Sequence, residues 1–365
     1  MPKFSTRYAN NFICLSILLG NALAFWIFFA VGYLSEITGE LGTGLVRMLM
    51  QPGVVVIISQ MSIMLIPFFV YLAVTKQKVS DVLPLKPLGP LNIFLITLIT
   101  LTIMPLAMLL GGISTMLFGN SVADFVETMR RTNLGFTFVI LAIVPSIFEE
   151  ISLRGVVLSN YRNIDAQKAA LVNGFFFGMI HLNPSQFLYA FLLGYMFALM
   201  VYYTRSIFAA MYGHFIFNGT QLLQFHLAQE YIQQQMIHGE ALPDIGSQEM
   251  MLASLLTFAI IAAIFTPVAV ILFKSFKGVN RRNFLKEELG LRPLEGDGTA
   301  DHGGLAVSTV GSAGDDIGVF DSARVQLPEI PPEAQHHHGD QRIVTTGFVF
   351  TIVIYIVYVL FVFIL

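Results

Sequence analysis

Charged residues and cysteine are both scarce in this sequence. Of its 365 residues, 12% are Asp, Glu, Lys or Arg, whereas a soluble domain carries about 25%. The single cysteine, Cys14, has no second cysteine to pair with, which excludes a disulfide-stapled core. The net charge of -3 is too small to indicate a strongly charged partner, so no nucleic-acid binding is expected.

Apolar residues are correspondingly abundant in the composition. Hydrophobic types make up 55% of the chain, and the mean hydropathy is +0.73. Runs long enough to cross about 30 Å of hydrocarbon occur at nine places: 12–34, 54–75, 91–117, 135–159, 167–182, 187–204, 207–225, 249–273 and 345–365. The first run lacks an Ala-x-Ala-like site at its end, so we expect a retained span. The sequence therefore predicts an all-α, polytopic membrane helix bundle of about 8–9 transmembrane helices in a lipid bilayer.

Lys and Arg gather in alternate loops. They lie before the first run, at 76–86, at 162–168, at 205 and at 274–286. Because positive loops face the cytoplasm, this pattern predicts a cytoplasmic N-terminus. The short, plain stretch before the first run suits a bacterial plasma membrane.

Composition divides the chain into five predicted parts. Residues 1–134 hold the N-terminal helices, 135–225 the core, 226–274 an outer loop and the eighth helix, 275–343 a disordered cytoplasmic linker, and 344–365 a C-terminal helix. The linker is predicted from its Gly, Pro, Asp and Ser content. Its three consecutive histidines, 336–338, fit incidental composition better than a metal site.

The fourth run contains three ionisable residues in "IVPSIFEEISLRGVVL", residues 143–158. Each charge at a helix centre costs roughly 2.5–3.5 kcal/mol, so such residues are functional candidates. Glu150 and Arg154 are four residues apart and can form an ion pair. Glu149 is turned about 100° from Glu150 and can face a cavity. The alternative is that all three pair together or snorkel to the cytoplasmic edge.

Further polar residues interrupt later runs. His181 and His214 are the two of eight histidines inside predicted spans, and Asn218 follows His214 by four residues. A lone histidine is more often a satisfied core residue, but here we predict that the three converge with Glu149 and Glu150 on an intramembrane polar active-site cavity. A buried carboxylate can act as a base toward water, and imidazole or amide N–H groups can stabilise an oxyanion.

The same donors leave a second chemistry open. Glu149, His181 and His214 offer the oxygen and nitrogen ligands that zinc accepts. The HExxH pattern of a soluble zinc protease is absent from the sequence. Zinc is therefore possible from residue types alone.

Three ordered motifs carry a resemblance. Glu149-Glu150-xxx-Arg154, Phe177-xxx-His181 and His214-xxx-Asn218 resemble the motifs of the CPBP family of intramembrane proteases, also called the ABI or CAAX-protease-like family, which includes the Ras-converting CAAX prenyl endopeptidases. The resemblance covers roughly residues 135–225. It implies an all-helical domain whose cavity opens to the cytoplasmic leaflet, and an endopeptidase acting on membrane-embedded or lipidated peptides.

The resemblance also implies a role for each residue. Glu149 would activate water with His181, and His214 with Asn218 would stabilise the oxyanion. Glu150 and Arg154 would hold the site together. The family has been interpreted both as metalloproteases and as metal-independent glutamate proteases. The glutamate mechanism is favoured here, with no cofactor required, because His214 with Asn218 suits an oxyanion better than a tight zinc site.

Two other functions are compatible with buried polar helices. A non-catalytic membrane scaffold or immunity protein of the same fold would use the cluster for packing alone. An ion-coupled transporter would also bury Glu and His. Many transporters contain internal repeats, whereas this sequence has no second copy of the Glu-bearing run.

Overall fold

A computed structural model describes residues 4–119, 133–238, 248–288 and 342–363. Within these ranges the chain is helical, and its extended pairing is limited to one isolated bridge between Leu85 and Ser206. The helices are Thr6–Thr38 (α1), Glu40–Leu49 (α2), Pro52–Thr75 (α3), Val79–Val82 (α4), Pro90–Phe118 (α5), Leu134–Asn160 (α6), Ala166–Ile180 (α7), Pro184–Thr204 (α8), Ile207–Ile237 (α9), Gln248–Glu288 (α10) and Thr346–Phe363 (α11).

The predicted all-α membrane bundle is confirmed. Each of the nine apolar runs coincides with one of these helices, and six helices are long and apolar enough to cross a membrane: α1, α3, α5, α6, α8 and α10. Helix α7 has 15 residues and reaches about 22 Å, which is short for a span. Helix α9 is long, but His214, Asn218 and six glutamines lower its hydropathy. The described residues thus contain fewer clear spans than the 8–9 predicted.

Two helices extend beyond their apolar runs. Helix α9 continues to Ile237, through a stretch that we predicted as part of an outer loop, and α10 continues to Glu288, past the predicted start of the linker at residue 275. The α9 extension contains Gln, Glu and Leu, and the α10 extension contains Leu, Lys and Glu. These residue types favour helix whether or not lipid surrounds them. The remaining predicted linker, 289–341 with its three histidines, lies outside the described residues.

Two compact units are distinguished along the chain. The first comprises residues 1–281 and 339–365 and contains α1 to α9, α11 and most of α10. The second comprises residues 282–338, of which the described part is the helical segment 282–288.

Helices α7 and α8 pack very closely because glycines face each other. A Cβ atom on Gly174 would lie 2.6 Å from the carbonyl oxygen of Phe191, and one on Gly194 would lie 2.8 Å from the Cα of Gly174. The connection is short, with Asn183 capping α8 by accepting a hydrogen bond from the backbone N–H of Ser185 at 3.0 Å. The turn therefore fixes where α7 ends.

Three π-helical segments interrupt α3 and α6. They are Met61–Leu65 in α3, and Val139–Ile143 and Ile151–Val157 in α6. Pro67 and Pro145 follow the first two segments closely, and proline lacks the N–H that an α-helical turn requires. Such single-turn bulges change the face that later residues present. Glu149 and Glu150 lie between the two bulges of α6.

The last helix packs beside the first. Asn10 on α1 donates from Nδ2 to the carbonyl of Ile343 at 2.9 Å and to Oγ1 of Thr345 at 2.8 Å. Close approach requires Gly347, because a Cβ there would lie 3.0 Å from the backbone nitrogen of Asn11. Phe348 then contacts the rings of two phenylalanines on α7. The chain's final helix thus joins the motif-bearing helices to α1.

Candidate active site

A buried ion pair forms the base of the site. Arg154 donates from Nη1 to Oε1 of Glu150 at 3.0 Å, and both side chains are 0% exposed. Its Nη2 donates to the carbonyl of Gly194 at 3.1 Å, and its guanidinium carbon lies 4.5 Å from the ring centre of Phe177. Arg154 therefore points into the helix bundle rather than snorkelling to the membrane edge. The predicted i, i+4 contact is present.

His214 lies between the two glutamates. Its Nδ1 is 2.8 Å from Oε1 of Glu150, and its Nε2 is 3.9 Å from Oε2 of Glu149. Phe197 stacks on the imidazole ring and Phe177 meets it edge-on. The Glu150 carboxylate, which already accepts a hydrogen bond from Arg154, can also accept one from Nδ1–H of His214. The other ring nitrogen, Nε2, is then directed toward Glu149.

Glu149 borders a small cavity. Its Oε1 accepts a hydrogen bond from Nε2 of Gln60 at 2.7 Å. Its Oε2 is buried and has no hydrogen-bond partner among the described residues. The cavity has a volume of about 180 Å³, and its wall includes Ser59, Gln60, Glu149 and His181. A buried carboxylate oxygen without a donor is unfavourable, so this oxygen is suited to receive a proton from water or substrate.

His181 faces the same cavity from the end of α7. Its Nδ1 is 2.7 Å from the carbonyl oxygen of Phe177, to which an Nδ1–H can donate. The other nitrogen, Nε2, is then the acceptor of the neutral ring. The ring also meets Phe177 edge-on at 5.0 Å. His181 and Glu149 thus share one cavity, as predicted.

Asn218 contacts α6 rather than the glutamates. Its Nδ2 donates to the carbonyl of Leu141 at 3.1 Å. In a regular helix that carbonyl would accept from the N–H of residue 145, which is proline here. The amide therefore replaces a missing backbone donor, about two helical turns from Glu149. A second N–H on the same amide remains for other acceptors.

The site residues on α6, α7 and α9 lie in a segment that matches a known family model. Residues 131–220 match the family model described as Rce1-like, type II CAAX prenyl endopeptidase. The resemblance to the CAAX proteases is confirmed. The matched segment is about a quarter of the chain and includes all three motifs. No curated protein and no solved structure matches the chain.

The structure does not gather the suggested zinc ligands into one group. Among the described residues, no group of three or more His, Cys, Asp or Glu side chains is placed to hold a metal ion. Glu149, His181 and His214, the suggested ligands, therefore do not form a tetrahedral set. His214 instead directs Nδ1 to Glu150.

Two residues of the candidate site were not predicted from the sequence. Phe177 opens the second motif, but its ring contacts Arg154, His181 and His214 together. Gln60 is 89 positions from Glu149, and no motif contains it. Gln60 carried the same signal as the histidines, since it is a polar residue inside a predicted span.

Proposed function

We propose that this chain is an intramembrane endopeptidase that cleaves membrane-embedded or lipid-anchored peptides near the cytoplasmic leaflet. The match is to an endopeptidase family, and several long apolar helices mark an integral membrane protein. We further propose a cytoplasmic N-terminus, from the distribution of Lys and Arg, in a bacterial plasma membrane. The observation that carries the proposal is Oε2 of Glu149, which is buried and has no hydrogen-bond partner in the described part of the chain, beside a cavity shared with His181.

In the proposed mechanism Glu149 is the general base. Water attacks the peptide carbonyl carbon while one of its protons passes to Oε2 of Glu149, and the carbonyl electron pair moves to oxygen. Collapse of the tetrahedral intermediate breaks the C–N bond, and Glu149 returns the proton to the leaving amine. His181 orients the water through its Nε2. Base catalysis of this kind contributes about 10²–10⁴-fold.

We assign oxyanion stabilisation to His214 and Asn218. When His214 is protonated at both nitrogens, Nδ1–H donates to Glu150 and Nε2–H is directed to the Glu149 side of the site. Asn218 would donate its second N–H to the oxyanion, or would give up its hydrogen bond to Leu141 and donate to the substrate instead. Glu150 and Arg154 hold His214 and Gly194 in place. No step in this scheme requires a metal ion or another cofactor.

The test compares two matched substitutions in liposomes that contain labelled, farnesylated peptides ending in a CAAX sequence. Glu149→Gln should lower the cleavage rate about 10²–10⁴-fold without changing thermal stability markedly. Glu230→Gln is the control, because Glu230 is 56% exposed and pairs with His226 on α9. Full turnover by Glu149→Gln would refute the assignment, and absent wild-type turnover would count against this substrate class.

The natural substrate can be sought in parallel. Membrane peptides from cells with the wild-type chain are compared by mass spectrometry with those from cells carrying Glu149→Gln. A protease releases fragments that the variant does not, whereas a scaffold of the same fold gives identical peptide sets.

A further inference from the structure

Gln60 is a polar residue in the middle of α3 that no motif includes. Its Nε2 donates to Oε1 of Glu149 at 2.7 Å, across 89 positions of sequence. Its own Oε1 is buried without a partner among the described residues, and the residue borders the same cavity as Glu149 and His181. The amide nitrogen of Gln60 therefore bonds to a residue of the site rather than to a neighbouring helix backbone.

The backbone around Gln60 is held on two sides. The π-helical segment Met61–Leu65 begins directly after it. On one side α1 approaches so closely that a Cβ on Gly20 would lie 2.6 Å from the Cα of Ile63. On the other side Ser152 of α6 donates to the carbonyl of Met64 at 3.0 Å. Contacts about one helical turn from Gln60 therefore fix its position relative to α6.

A hydrogen bond such as the one from Gln60 determines which oxygen of the Glu149 carboxylate faces the cavity. Rotation about the last torsion of a glutamate side chain is broad and roughly two-fold, so either oxygen could face the cavity. A hydrogen bond to an ionised acceptor is among the stronger ones. Donation from Gln60 to Oε1 leaves Oε2 as the oxygen that lies 3.9 Å from Nε2 of His214.

We propose that Gln60 is a positioning residue that orients Glu149 for proton transfer. This inference rests on the proposed endopeptidase function, since it concerns the same carboxylate. Gln60 acts through Glu149 and need not touch the peptide. Its loss should therefore affect the chemical step, and leave substrate binding nearly unchanged.

The first test is Gln60→Met, which keeps the length of the side chain and removes the donor. We expect kcat for the CAAX peptide to fall about tenfold to a hundredfold, the loss that follows from misplacing a reacting group, with KM within about twofold. The matched control is Gln77→Met. Gln77 is also buried, but it donates to the hydroxyl of Tyr71 at 3.1 Å, so kcat and KM should both stay within about twofold.

Gln60→Asn keeps an amide and shortens it by one methylene. It should lower kcat as Met does, because the shorter side chain cannot reach Oε1, and it serves if the Met variant fails to fold. A third variant exchanges the groups, Gln60→Glu with Glu149→Gln. There the hydrogen bond can reform, so thermal stability should exceed that of Gln60→Glu alone while cleavage remains absent.

The outcomes separate this inference from the proposed function. If Glu149→Gln is inactive and Gln60→Met keeps the wild-type kcat with a lowered melting temperature, Gln60 only joins α3 to α6 and the positioning role is wrong. If Glu149→Gln retains full turnover, the proposed function fails, and the role of Gln60 fails with it. A selective fall in kcat, reproduced by Gln60→Asn, supports the positioning role.

Discussion

Removing the charge of Arg154 should destabilise the fold strongly. Substitution Arg154→Met keeps much of the side-chain volume and leaves the Glu150 carboxylate with His214 as its remaining polar partner. Glu150 is completely buried and already has one oxygen, Oε2, without a hydrogen-bond partner among the described residues. Solvent therefore cannot replace the lost guanidinium.

The expected magnitude follows from the burial of both groups. Breaking a buried ion pair by removing one partner costs about 3–5 kcal/mol. In a protein of several hundred residues, 1 kcal/mol shifts the melting temperature by about 2–4 °C, so a fall of roughly 6–20 °C is expected. Arg154→Met/Glu150→Gln removes both charges and keeps an acceptor for Nδ1 of His214. That double variant should be more stable than Arg154→Met.

Thermal unfolding in detergent, followed by tryptophan fluorescence at Trp26 or by circular dichroism, measures the effect. Arg162→Met is the matched control, because Arg162 is exposed and bonds to the carbonyls of Ser159 and Asp81. It should cost about 1 kcal/mol or less. If Arg154→Met unfolds at the wild-type temperature, or if the double variant is less stable than the single one, the buried pair does not stabilise the site as argued here.

Two further predictions concern helix contact and metal. Gly174→Ala should destabilise the protein by about 1–3 kcal/mol through overpacking, since its Cβ would meet the α8 backbone, whereas Gly32→Ala, with nothing within 4 Å, should be neutral or slightly stabilising in the same unfolding assay. Purified protein should contain well below one zinc per chain by mass spectrometry and should keep its peptidase activity after chelation; stoichiometric zinc that is lost in His181→Ala and His214→Ala would contradict the metal-independent mechanism.

The local part of the site could be predicted from sequence because helix geometry determines it. Glu150 and Arg154 meet at 3.0 Å, as their i, i+4 spacing requires. The convergence of His214 with the glutamates was predicted from the scarcity of polar groups in apolar runs, and the structure places its ring between Glu149 and Glu150. The roles of these residues in catalysis stay predictions.

Other contacts depend on where two helices cross, and the hydrophobic periodicity of a sequence does not predict the crossing point. The hydrogen bond from Gln60 to Glu149 joins α3 to α6, and a sequence gives neither the crossing point nor the π-helical segments that set it. The Asn218 contact with Leu141 has a visible cause in Pro145, but the identity of the donor becomes clear only when α9 is placed. Hydropathy likewise marks where lipid ends and not where a helix ends, which explains the extensions of α9 and α10.

The contact between α1 and α11 joins residues that are synthesised at very different times. Asn10 bonds to Ile343, 333 positions later. At about 5–20 residues per second, roughly 20–70 s pass between the emergence of these two partners from the ribosome. During that interval the Asn10 amide, which is fully buried in the finished fold, must be solvated by water or headgroups. The contact between α1 and α11 can therefore form only after the chain has been synthesised through Ile343.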